Sequence, residues 1–492
     1  MGTSLPGTPT AASTPDALRH APAAEAAPRP PATWALLGLL LWLGVLLLSP
    51  TLGPDPDAYL SGDPLHYAAI AKSTLQSDDW MMLKLGDQPY FNKPPFMFWA
   101  AMTSYRLFGI STWSAEVPGI LAGLGVMLGT FLLGTRLIDR RHGFVAAVVL
   151  GTTYVFLRNA SVLRMDAPVT LAILISMGAL LAGETRRAFL PLFFAGVTLG
   201  VLVKGPAGLF PILILLLWRP LRGRPLPLRD PLFWSTALLL PLLLLPWLMH
   251  VYGLHGEHFT EAYVADVDKI VNHAKRTSVV GKYATDLVRE GWPWLPFLLH
   301  GLWLGGRAMW RRERSDDWTL PIAWILSVAV VLLLLARAYS RYVIPMLPAT
   351  SLLAARSLLS FWPRLVGRRL ALGMFAVLAT ATLLLATRTI DVLGDRQPDI
   401  VRFRFALAAD GQHGAVEVLD REVSNSLQSA AILYCDLTVR PLPPEDLPAR
   451  LQADGRPLLA LLPHGGELPD SVQASVEQAG EDFDLVRVTR RS

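Results

Sequence analysis

Long apolar stretches are the feature that most constrains this chain, because they recur along most of its length. Crossing a bilayer as an α-helix takes about 20 predominantly apolar residues. Of the 492 residues 52% are hydrophobic and only 17% are charged, whereas soluble proteins carry roughly 25% charged residues. The sequence therefore predicts an all-α polytopic membrane core of about eleven transmembrane helices. These lie near residues 34–52, 115–136, 143–159, 167–183, 188–203, 206–218, 231–251, 291–306, 319–336, 342–359 and 369–387.

Arginines are distributed unevenly over the loops between these stretches. Cytoplasmic loops carry an excess of Lys and Arg, and the short loop after every second stretch is the arginine-rich one. The arginines concerned are Arg136, Arg140, Arg141, Arg186, Arg187, Arg219, Arg222, Arg224, Arg229, Arg307, Arg311, Arg312, Arg314, Arg364, Arg368 and Arg369. This distribution predicts a cytoplasmic N-terminus and an outside location for everything after the last helix. It also accounts for the net charge of +5, so that charge does not indicate a nucleic-acid partner.

The remaining segments divide the chain into parts. Residues 1–33 are rich in Pro, Ala, Thr and Ser, which predicts a disordered cytoplasmic tail before a first helix that is retained as an anchor. The membrane core then covers 34–390, with two long outer loops at 53–114 and 252–290. Residues 391–492 alternate short apolar runs with polar segments, which predicts a small soluble α/β domain on the periplasmic side.

Local patterns add detail to two of these parts. In the first outer loop, 64–76 and 95–108 have the apolar spacing of amphipathic helices, which suits helices that lie along the membrane surface. In the C-terminal domain, Ala415–Leu419, Pro457–Leu462 and Phe483–Val488 are predicted strands. Ser471–Gln478 is predicted to be a helix.

Two residues of the first outer loop suggest chemistry. Asp63 follows the first membrane helix and suits a general base or a metal ligand, although a loop carboxylate can also be simply solvated. Lys93 precedes two prolines, and the residue before proline is pushed into an extended backbone. Its ammonium is then outside the following helix and is placed to meet a lipid phosphate.

Further ionisable residues lie where apolar stretches meet. Arg164 and Asp166 flank one outer turn, and Lys204 lies between two apolar runs. Ionisable groups at membrane depth are costly unless paired, so they indicate function by default. An Arg164–Asp166 ion pair and a Lys204 side chain that extends to the interface are the structural alternatives. Arg341 lies on the outer side against the cytoplasmic bias, which indicates a phosphate ligand or lipid headgroups.

At these positions the chain resembles the GT-C glycosyltransferases that use polyprenyl-phosphate sugars. It is most similar to the bacterial branch related to protein O-mannosyltransferases and the lipid A aminoarabinose transferase. The resemblance implies a membrane core with outer surface helices and an inverting transfer from a lipid-phosphate donor. It is carried by Gly62–Ala71, Tyr90–Trp99, Arg164–Leu171, Leu202–Leu209 and Arg341–Pro348.

The resemblance also implies roles for individual residues. Asp63 matches the catalytic aspartate of the first loop, and Asp166 matches a second acidic position that supports the acceptor or a metal. Lys93 matches the lysine that contacts the donor phosphate, and Arg341 and Tyr342 match a late Arg-Tyr motif near that phosphate. Other candidates for substrate binding are His66, Tyr67, Asn92, Arg164 and Lys204.

Two departures from the family pattern concern cations. Many relatives have Glu where this chain has Asn92, and an amide is a weaker metal ligand than a carboxylate, so a divalent cation is left open. Relatives also carry an Arg in the loop after the seventh stretch, where Lys269 is the candidate donor-phosphate ligand. No nucleotide-binding fingerprint is present, and a lipid-phosphate donor needs none.

Together these features predict an inverting glycosyltransferase in the bacterial inner membrane. The donor is a polyprenyl-phosphate sugar, and the acceptor is a lipid, a glycan or a protein on the periplasmic face. Two other classes stay open, namely a transporter or flippase of a lipid-linked substrate and an inactive cell-envelope scaffold. The sequence does not specify the sugar or the acceptor.

Overall fold

The computed structural model describes Gly2 and residues 33–48, 59–77, 79–271, 276–313, 315–335, 338–362, 367–386, 397–411 and 414–491. The predicted N-terminal tail lies outside these ranges, apart from Gly2 and the helical Thr33. For a few helical residues the backbone alone is described, and these are 263, 266–271, 276–278, 368, 371, 381–382, 385–386 and 454.

Most of the chain up to residue 386 is helical. The helices are α1 Thr33–Leu48, α2 Gly62–Gln76, α3 Phe96–Phe108, α4 Thr112–Leu137, α5 Arg140–Gly151, α6 Tyr154–Ala160, α7 Asp166–Gly183, α8 Leu192–Lys204, α9 Phe210–Arg222, α10 Pro231–Trp234, α11 Leu239–Val271, α12 Arg276–Gly291, α13 Leu295–Trp310, α14 Asp316–Leu334, α15 Leu347–Phe361 and α16 Arg368–Ala386. A short antiparallel hairpin of β1 (Lys84–Leu85) and β2 (Gln88–Pro89) lies between α2 and α3.

The helices form a polytopic membrane core, as predicted. Within the described residues, six helical stretches are long and apolar enough to cross a membrane, and the bent pair α5 and α6 makes up to seven. That pair is bent by 70°. Each predicted stretch contains a helix, but several of these helices are shorter than the 18 residues taken as the minimum for a membrane span. The count of eleven therefore stays a prediction.

A sharp turn follows α8 and positions one of the candidate residues. Gly205 has a φ of 55°, and the 3₁₀ turn Gly205–Leu209 packs against α8. A Cβ built on Gly200 would lie 2.8 Å from Cα of Gly208, although residues eight apart in a straight helix are about 12 Å apart. The chain therefore bends back at this point, and Lys204 lies at the bend.

Replacing Gly208 with Ala should destabilise the protein by about 2–3 kcal/mol, because the added methyl group would clash with the backbone of α8. Its Cβ would be 2.1 Å from the backbone nitrogen of Val201. The thermal midpoint of the purified protein in detergent measures this effect. Gly178→Ala in α7 is the matched control, because nothing lies within 4 Å of a Cβ there. Equal midpoints for the two variants would contradict the close packing.

The predicted loop helices are confirmed as α2 and α3. Their buried faces share one apolar core with the C-terminal domain, in which Ile70 and Phe98 meet residues such as Phe403 and Leu459. Each of these four side chains is at most 1% exposed. The first loop is thus packed between the membrane helices and the C-terminal domain.

The C-terminal domain contains a five-stranded sheet in the order β4-β3-β5-β7-β6. β3 is parallel to both β4 and β5, whereas β7 is antiparallel to both β5 and β6. The strands are β3 Ala415–Val418, β4 Thr438–Pro441, β5 Leu458–Pro463, β6 Val472–Gln478 and β7 Phe483–Arg490. The helices of the domain are α17 Asp399–Ala409, α18 Asn425–Ala430 and α19 Leu447–Asp454.

The strands predicted from the apolar runs are confirmed as β3, β5 and β7. The helix predicted over Ser471–Gln478 is wrong, because this segment is the edge strand β6. Val472, Ala474 and Val476 recur every second residue, which is the period of a strand. Most residues of this edge strand are exposed and therefore polar. The mixture of polar and apolar residues resembled the pattern of an amphipathic helix.

Asp399 joins the start of α17 to the turn before β7. Its side chain is 5% exposed, and the carboxylate accepts hydrogen bonds from the backbone N–H groups of Glu481 (2.9 Å), Asp482 (2.7 Å) and Phe483 (3.1 Å). Asp399→Ala should therefore cost about 1–3 kcal/mol, because three partly buried backbone N–H groups lose their charged acceptor. Protease resistance and the thermal midpoint measure this loss, with the exposed Asp470→Ala as control. A variant as stable as the control would contradict the assigned bonds.

Candidate active site

A polar cavity of about 230 Å³ lies between the membrane core and the first outer loop. Four separate parts of the chain supply its walls, namely the first outer loop, the turn before α7, the end of α8 and the segment before α15. The lining residues are Asp63, His66, Tyr67, Tyr90, Asn92, Lys93, Arg164, Met165, Asp166, Lys204, Tyr339, Arg341 and Tyr342. The structure thus brings together every site residue predicted from the sequence except Lys269, whose side chain lies outside the described residues.

Asp63 lies in the first turn of α2, where the aligned N–H groups of the helix favour a negative charge. Its Oδ2 is 3.0 Å from Nη2 of Arg341. The carboxylate is 42% exposed and the arginine 23% exposed, so the ion pair is open to the cavity. A negatively charged ligand can compete for this arginine, while the carboxylate keeps access to a second molecule.

Aromatic rings hold the guanidinium of Arg341. Its Cζ lies 4.5 Å from the ring centroid of Tyr339 and 5.7 Å from that of Tyr342. The Tyr342 ring also lies 4.9 Å from Nζ of Lys204. Cation–π contacts of this kind stabilise a charge while its hydrogen-bonding atoms stay available. The segment Ser340–Met346 is a 3₁₀ helix, which places both Arg341 and Tyr342 on the cavity wall.

Asp166 begins α7 and is 4% exposed at its side chain. Its Oδ1 forms an ion pair with Nζ of Lys204. The Arg164–Asp166 ion pair considered from the sequence is therefore not the observed pairing. Arg164 instead donates from Nη1 to Oδ1 of Asn159 at 2.5 Å. The bend after α8 carries Lys204 to Asp166, and for that reason the lysine does not extend to the interface.

Arg164 remains electrostatically linked to the other charged groups. Burial and the neighbouring Arg341 lower the pKa of its guanidinium, whereas Asp63 and Asp166 raise it. Its Nε is buried without a hydrogen-bond partner among the described residues. Arg164 therefore lies deep in the wall of the cavity, and its Nε–H group is available to donate a hydrogen bond to a ligand.

Lys93 lies at the boundary between two cavities. It lines the polar cavity and also an apolar cavity of about 390 Å³, whose walls come mainly from α11, the turn after α8 and the first outer loop. Its Nζ donates to the backbone oxygen of Asn92 at 3.0 Å. The prolines that follow end the extended segment, and α3 begins at Phe96. The ammonium is thus placed where a polar headgroup and an apolar chain can meet.

His66 and Tyr67 project from α2 into the same cavity. Burial lowers the pKa of His66, against a smaller raising effect of the Asp63 carboxylate. Burial also raises the pKa of the Tyr67 hydroxyl, and Asp63 and Asp166 add to this effect. Both side chains are therefore neutral near pH 7, and they contribute hydrogen bonds rather than charge.

The donor set does not fit a bound cation. Asp63 and Asp166 are each paired with a cationic side chain, and Asn92 offers the cavity an amide, which is a weaker metal ligand than a carboxylate. No group of three His, Cys, Asp or Glu side chains is placed to hold a metal ion within the described part of the chain. We therefore derive no step through a divalent cation.

Three lining residues and one supporting residue were not predicted. Tyr90 and Met165 lie inside the motifs that carry the resemblance, so their position in the sequence was an available signal. Tyr339 lies outside those motifs, two residues before Arg341. Asn159 holds Arg164 from the end of α6, and only the three-dimensional structure shows this contact.

The chain is similar to known proteins in part of its sequence and in its fold. Residues 92–250 match the sequence model of the dolichyl-phosphate-mannose-protein mannosyltransferase family. The structure is similar to that of ArnT from Cupriavidus metallidurans bound to undecaprenyl phosphate, over 93% of this chain and 97% of that chain. The TM-score is 0.70 and the sequence identity 16%. The fold of this chain is therefore similar to that of the ArnT structure.

Sequence relatives refine this class. A protein of Aquifex aeolicus (strain VF5) is 24% identical over 65% of this chain. An undecaprenyl phosphate-alpha-4-amino-4-deoxy-L-arabinose arabinosyl transferase of Shewanella sediminis is 22% identical over 61% of this chain. The chain spans 64% and 56% of the lengths of these two relatives. The chain is thus similar in sequence to arabinosyl transferases and, over residues 92–250, to the mannosyltransferase family model, the two groups that the sequence motifs resemble.

Proposed function

We propose that the protein is an inverting glycosyltransferase that moves a sugar from a polyprenyl-phosphate donor of the undecaprenyl-phosphate type. The acceptor is a lipid, glycan or protein at the periplasmic face of the bacterial inner membrane. The observation that carries this proposal is one cavity in which two carboxylates lie among four cationic side chains. The relationship to arabinosyl and mannosyl transferases supports the same reaction class.

The charges of the cavity suit the phosphate of the donor. Lys93, Arg164, Lys204 and Arg341 outnumber the two carboxylates, so the cavity carries excess positive charge before any ligand binds. In the transfer the phosphodiester with one negative charge becomes a phosphomonoester that gains further charge. Preorganised cations that face this growing charge lower the barrier. Arg341 is suited to bidentate phosphate binding, and Lys93 supplies a point charge.

The apolar cavity beside Lys93 suits the isoprenoid chain of the donor. Its lining is almost entirely apolar and includes Phe91, Trp247, Leu248 and Phe259. A polyprenyl phosphate requires one phosphate site that is continuous with an apolar channel. Lys93 is the residue that the polar and apolar cavities share, so a phosphate bound there leaves its chain in the apolar cavity.

Asp63 is the proposed base. An acceptor hydroxyl attacks the anomeric carbon, and its proton passes to the Asp63 carboxylate. The bond from the anomeric carbon to the phosphate oxygen breaks as the new glycosidic bond forms, and its electron pair leaves with the lipid phosphate. A single displacement of this kind inverts the anomeric configuration. Arg341, paired with Asp63 at 3.0 Å, turns toward the phosphate when the donor binds and frees the carboxylate.

Asp166 and Lys204 form the proposed inner wall of the substrate site. Their ion pair lies beside Tyr342, and Asp166 offers a second oxygen to an acceptor hydroxyl. Asn92 and Tyr67 offer neutral hydrogen bonds at the mouth and the wall. Lys269 belongs to the same proposal as a further phosphate ligand on the sequence argument alone.

The arginine distribution supports the proposed orientation. The N-terminus is cytoplasmic in this proposal, and the cavity and the C-terminal domain face the periplasm. A flippase would move the donor across the membrane without transfer, and a scaffold would do neither. A transfer assay together with an assay of donor movement therefore distinguishes these two alternatives from the proposal and from each other.

Purified full-length protein in nanodiscs is incubated with undecaprenyl-phosphate-linked labelled sugars and, in turn, lipid, glycan and protein acceptors from the bacterial envelope. The proposal predicts label in one acceptor fraction together with free undecaprenyl phosphate. In proteoliposomes, movement of intact donor between leaflets without transfer would instead identify a flippase. Absence of both activities over the whole donor and acceptor panel would favour the scaffold.

A further inference from the structure

The C-terminal domain holds α2, the helix that carries Asp63. The Tyr434 hydroxyl accepts the backbone N–H of Leu60 at 2.7 Å. At the far end of α2, the buried ammonium of Lys72 donates to the backbone oxygen of Leu433 at 2.9 Å. The domain therefore contacts α2 on both sides of the residues that face the cavity.

A third contact reaches a cavity residue directly. Nδ1 of His66 is 3.1 Å from Oγ of Ser429, and Ser429 belongs to α18 of the C-terminal domain. Oγ of Ser429 also lies 2.5 Å from the backbone oxygen of Asn425. A carbonyl oxygen only accepts hydrogen bonds, so the single hydroxyl proton of Ser429 is donated there. Oγ is then an acceptor toward the ring, and the ring proton of His66 lies on Nδ1.

This assignment leaves Nε2 of His66 without a proton. The groups around the ring are the carboxylate of Asp63 and the rings of Tyr67 and Tyr90. Burial keeps the pKa of His66 below its ordinary value, so the imidazole is neutral at pH 7. Nε2 has no hydrogen-bond partner among the described residues. It is thus a neutral acceptor in a cavity whose two carboxylates are already paired.

We propose that Nε2 of His66 accepts a hydrogen bond from a hydroxyl of the sugar bound in the cavity, and that Ser429 is the positioning residue that fixes this tautomer. The inference rests on the proposed function and deepens it, since it makes the C-terminal domain part of the substrate site. A sugar hydroxyl is the suitable ligand because it is a neutral donor, and a site built for a hydroxyl rejects analogues that lack it.

The tautomer is measured without any assay of activity. Full-length protein with ¹⁵N-labelled histidine in nanodiscs gives distinct signals for protonated and unprotonated ring nitrogens, and His66→Gln identifies the His66 signals by their loss. The expected result at pH 7.5 is a protonated Nδ1 and an unprotonated Nε2, with a mixture of both tautomers in Ser429→Ala. A wild-type ring protonated on Nε2 would overturn the inference.

Kinetics then tests the role in transfer. Ser429→Ala and His66→Gln should each lower kcat/KM by about three- to tenfold, the size of one hydrogen bond. Ser429→Ala should have no further effect in the His66→Gln background, because Ser429 acts through His66. Ser424→Ala is the matched control, because it removes the cap of the same helix without a contact to α2.

The outcomes distinguish failure of the His66–Ser429 inference from failure of the proposed function. Equal losses in Ser424→Ala and Ser429→Ala, or additive losses in the double variant, would show a merely structural role and overturn the inference. Unchanged kcat/KM in Ser429→Ala would do the same. If no variant and no wild-type protein transferred any sugar, the proposed function would fail, and with it the substrate role of His66, whatever tautomer the NMR measurement found.

Discussion

Replacing Asp63 with Asn should lower the rate of sugar transfer by about 10²- to 10⁴-fold, the usual contribution of a general base. Asn keeps the size of the side chain but accepts no proton at neutral pH. The Asp63 carboxylate is partly exposed to the cavity and paired with Arg341, so the substitution removes a charge at the reacting centre and no buried apolar contact. The rate is measured at saturating donor and acceptor.

Asp87→Asn is the matched control for this prediction. Asp87 is an exposed carboxylate in the hairpin turn of the same outer loop and does not line the cavity. Donor binding should be retained in both variants. An Asp63→Asn protein that folds normally and transfers sugar at the wild-type rate would exclude Asp63 as the base.

Replacing Lys204 with Met should destabilise the protein by about 3–5 kcal/mol, the usual cost of leaving a buried charge unpaired. The substitution leaves the Asp166 carboxylate, 4% exposed, without the ammonium that pairs with it. Thermal midpoints in detergent measure this loss. The double variant Lys204→Met/Asp166→Asn should recover much of the stability, because it removes both charges.

Lys282→Met provides the control for a lysine whose loss costs little. Lys282 is 47% exposed, and its partner Asp286 retains a second cation in Arg289. Exposed pairs contribute about 0–1 kcal/mol. A Lys204→Met midpoint equal to that of Lys282→Met would show that the Asp166–Lys204 pair is not a buried ion pair. If the double variant is stable but inactive, the pair also serves the substrate site.

Much of this architecture is predictable from the sequence, for physical reasons. Apolar stretches near bilayer length leave the helix as the only structure that satisfies the backbone in lipid, so the membrane helices are predictable. The loop helices α2 and α3 are predictable from their amphipathic spacing. Three strands of the C-terminal sheet are predictable because their apolar runs are buried. The edge strand Val472–Gln478 was predicted wrongly, because an edge position relaxes the demand for apolar residues.

The candidate site was predictable as a set of residues but not as a set of pairs. The topology predicted from the arginines assigns Asp63, Lys93, Asp166 and Arg341 to the same face of the membrane, and for that reason the sequence predicts that they lie close together. The choice of Lys204 over Arg164 as the partner of Asp166 depends on the bend at Gly205. The contact between His66 and Ser429 joins residues 363 positions apart in the sequence. Local sequence patterns predict only contacts between nearby residues, so they could not predict this one.

The measurement that tests the central claim most directly is the stoichiometry and stereochemistry of a single turnover with a polyprenyl-phosphate sugar of known anomeric configuration. The account predicts one lipid phosphate released for each sugar transferred, and a product of inverted configuration that depends on the Asp63 carboxylate. Retained configuration, or release of lipid phosphate with the sugar delivered to water alone, would contradict a direct displacement by an acceptor in this cavity.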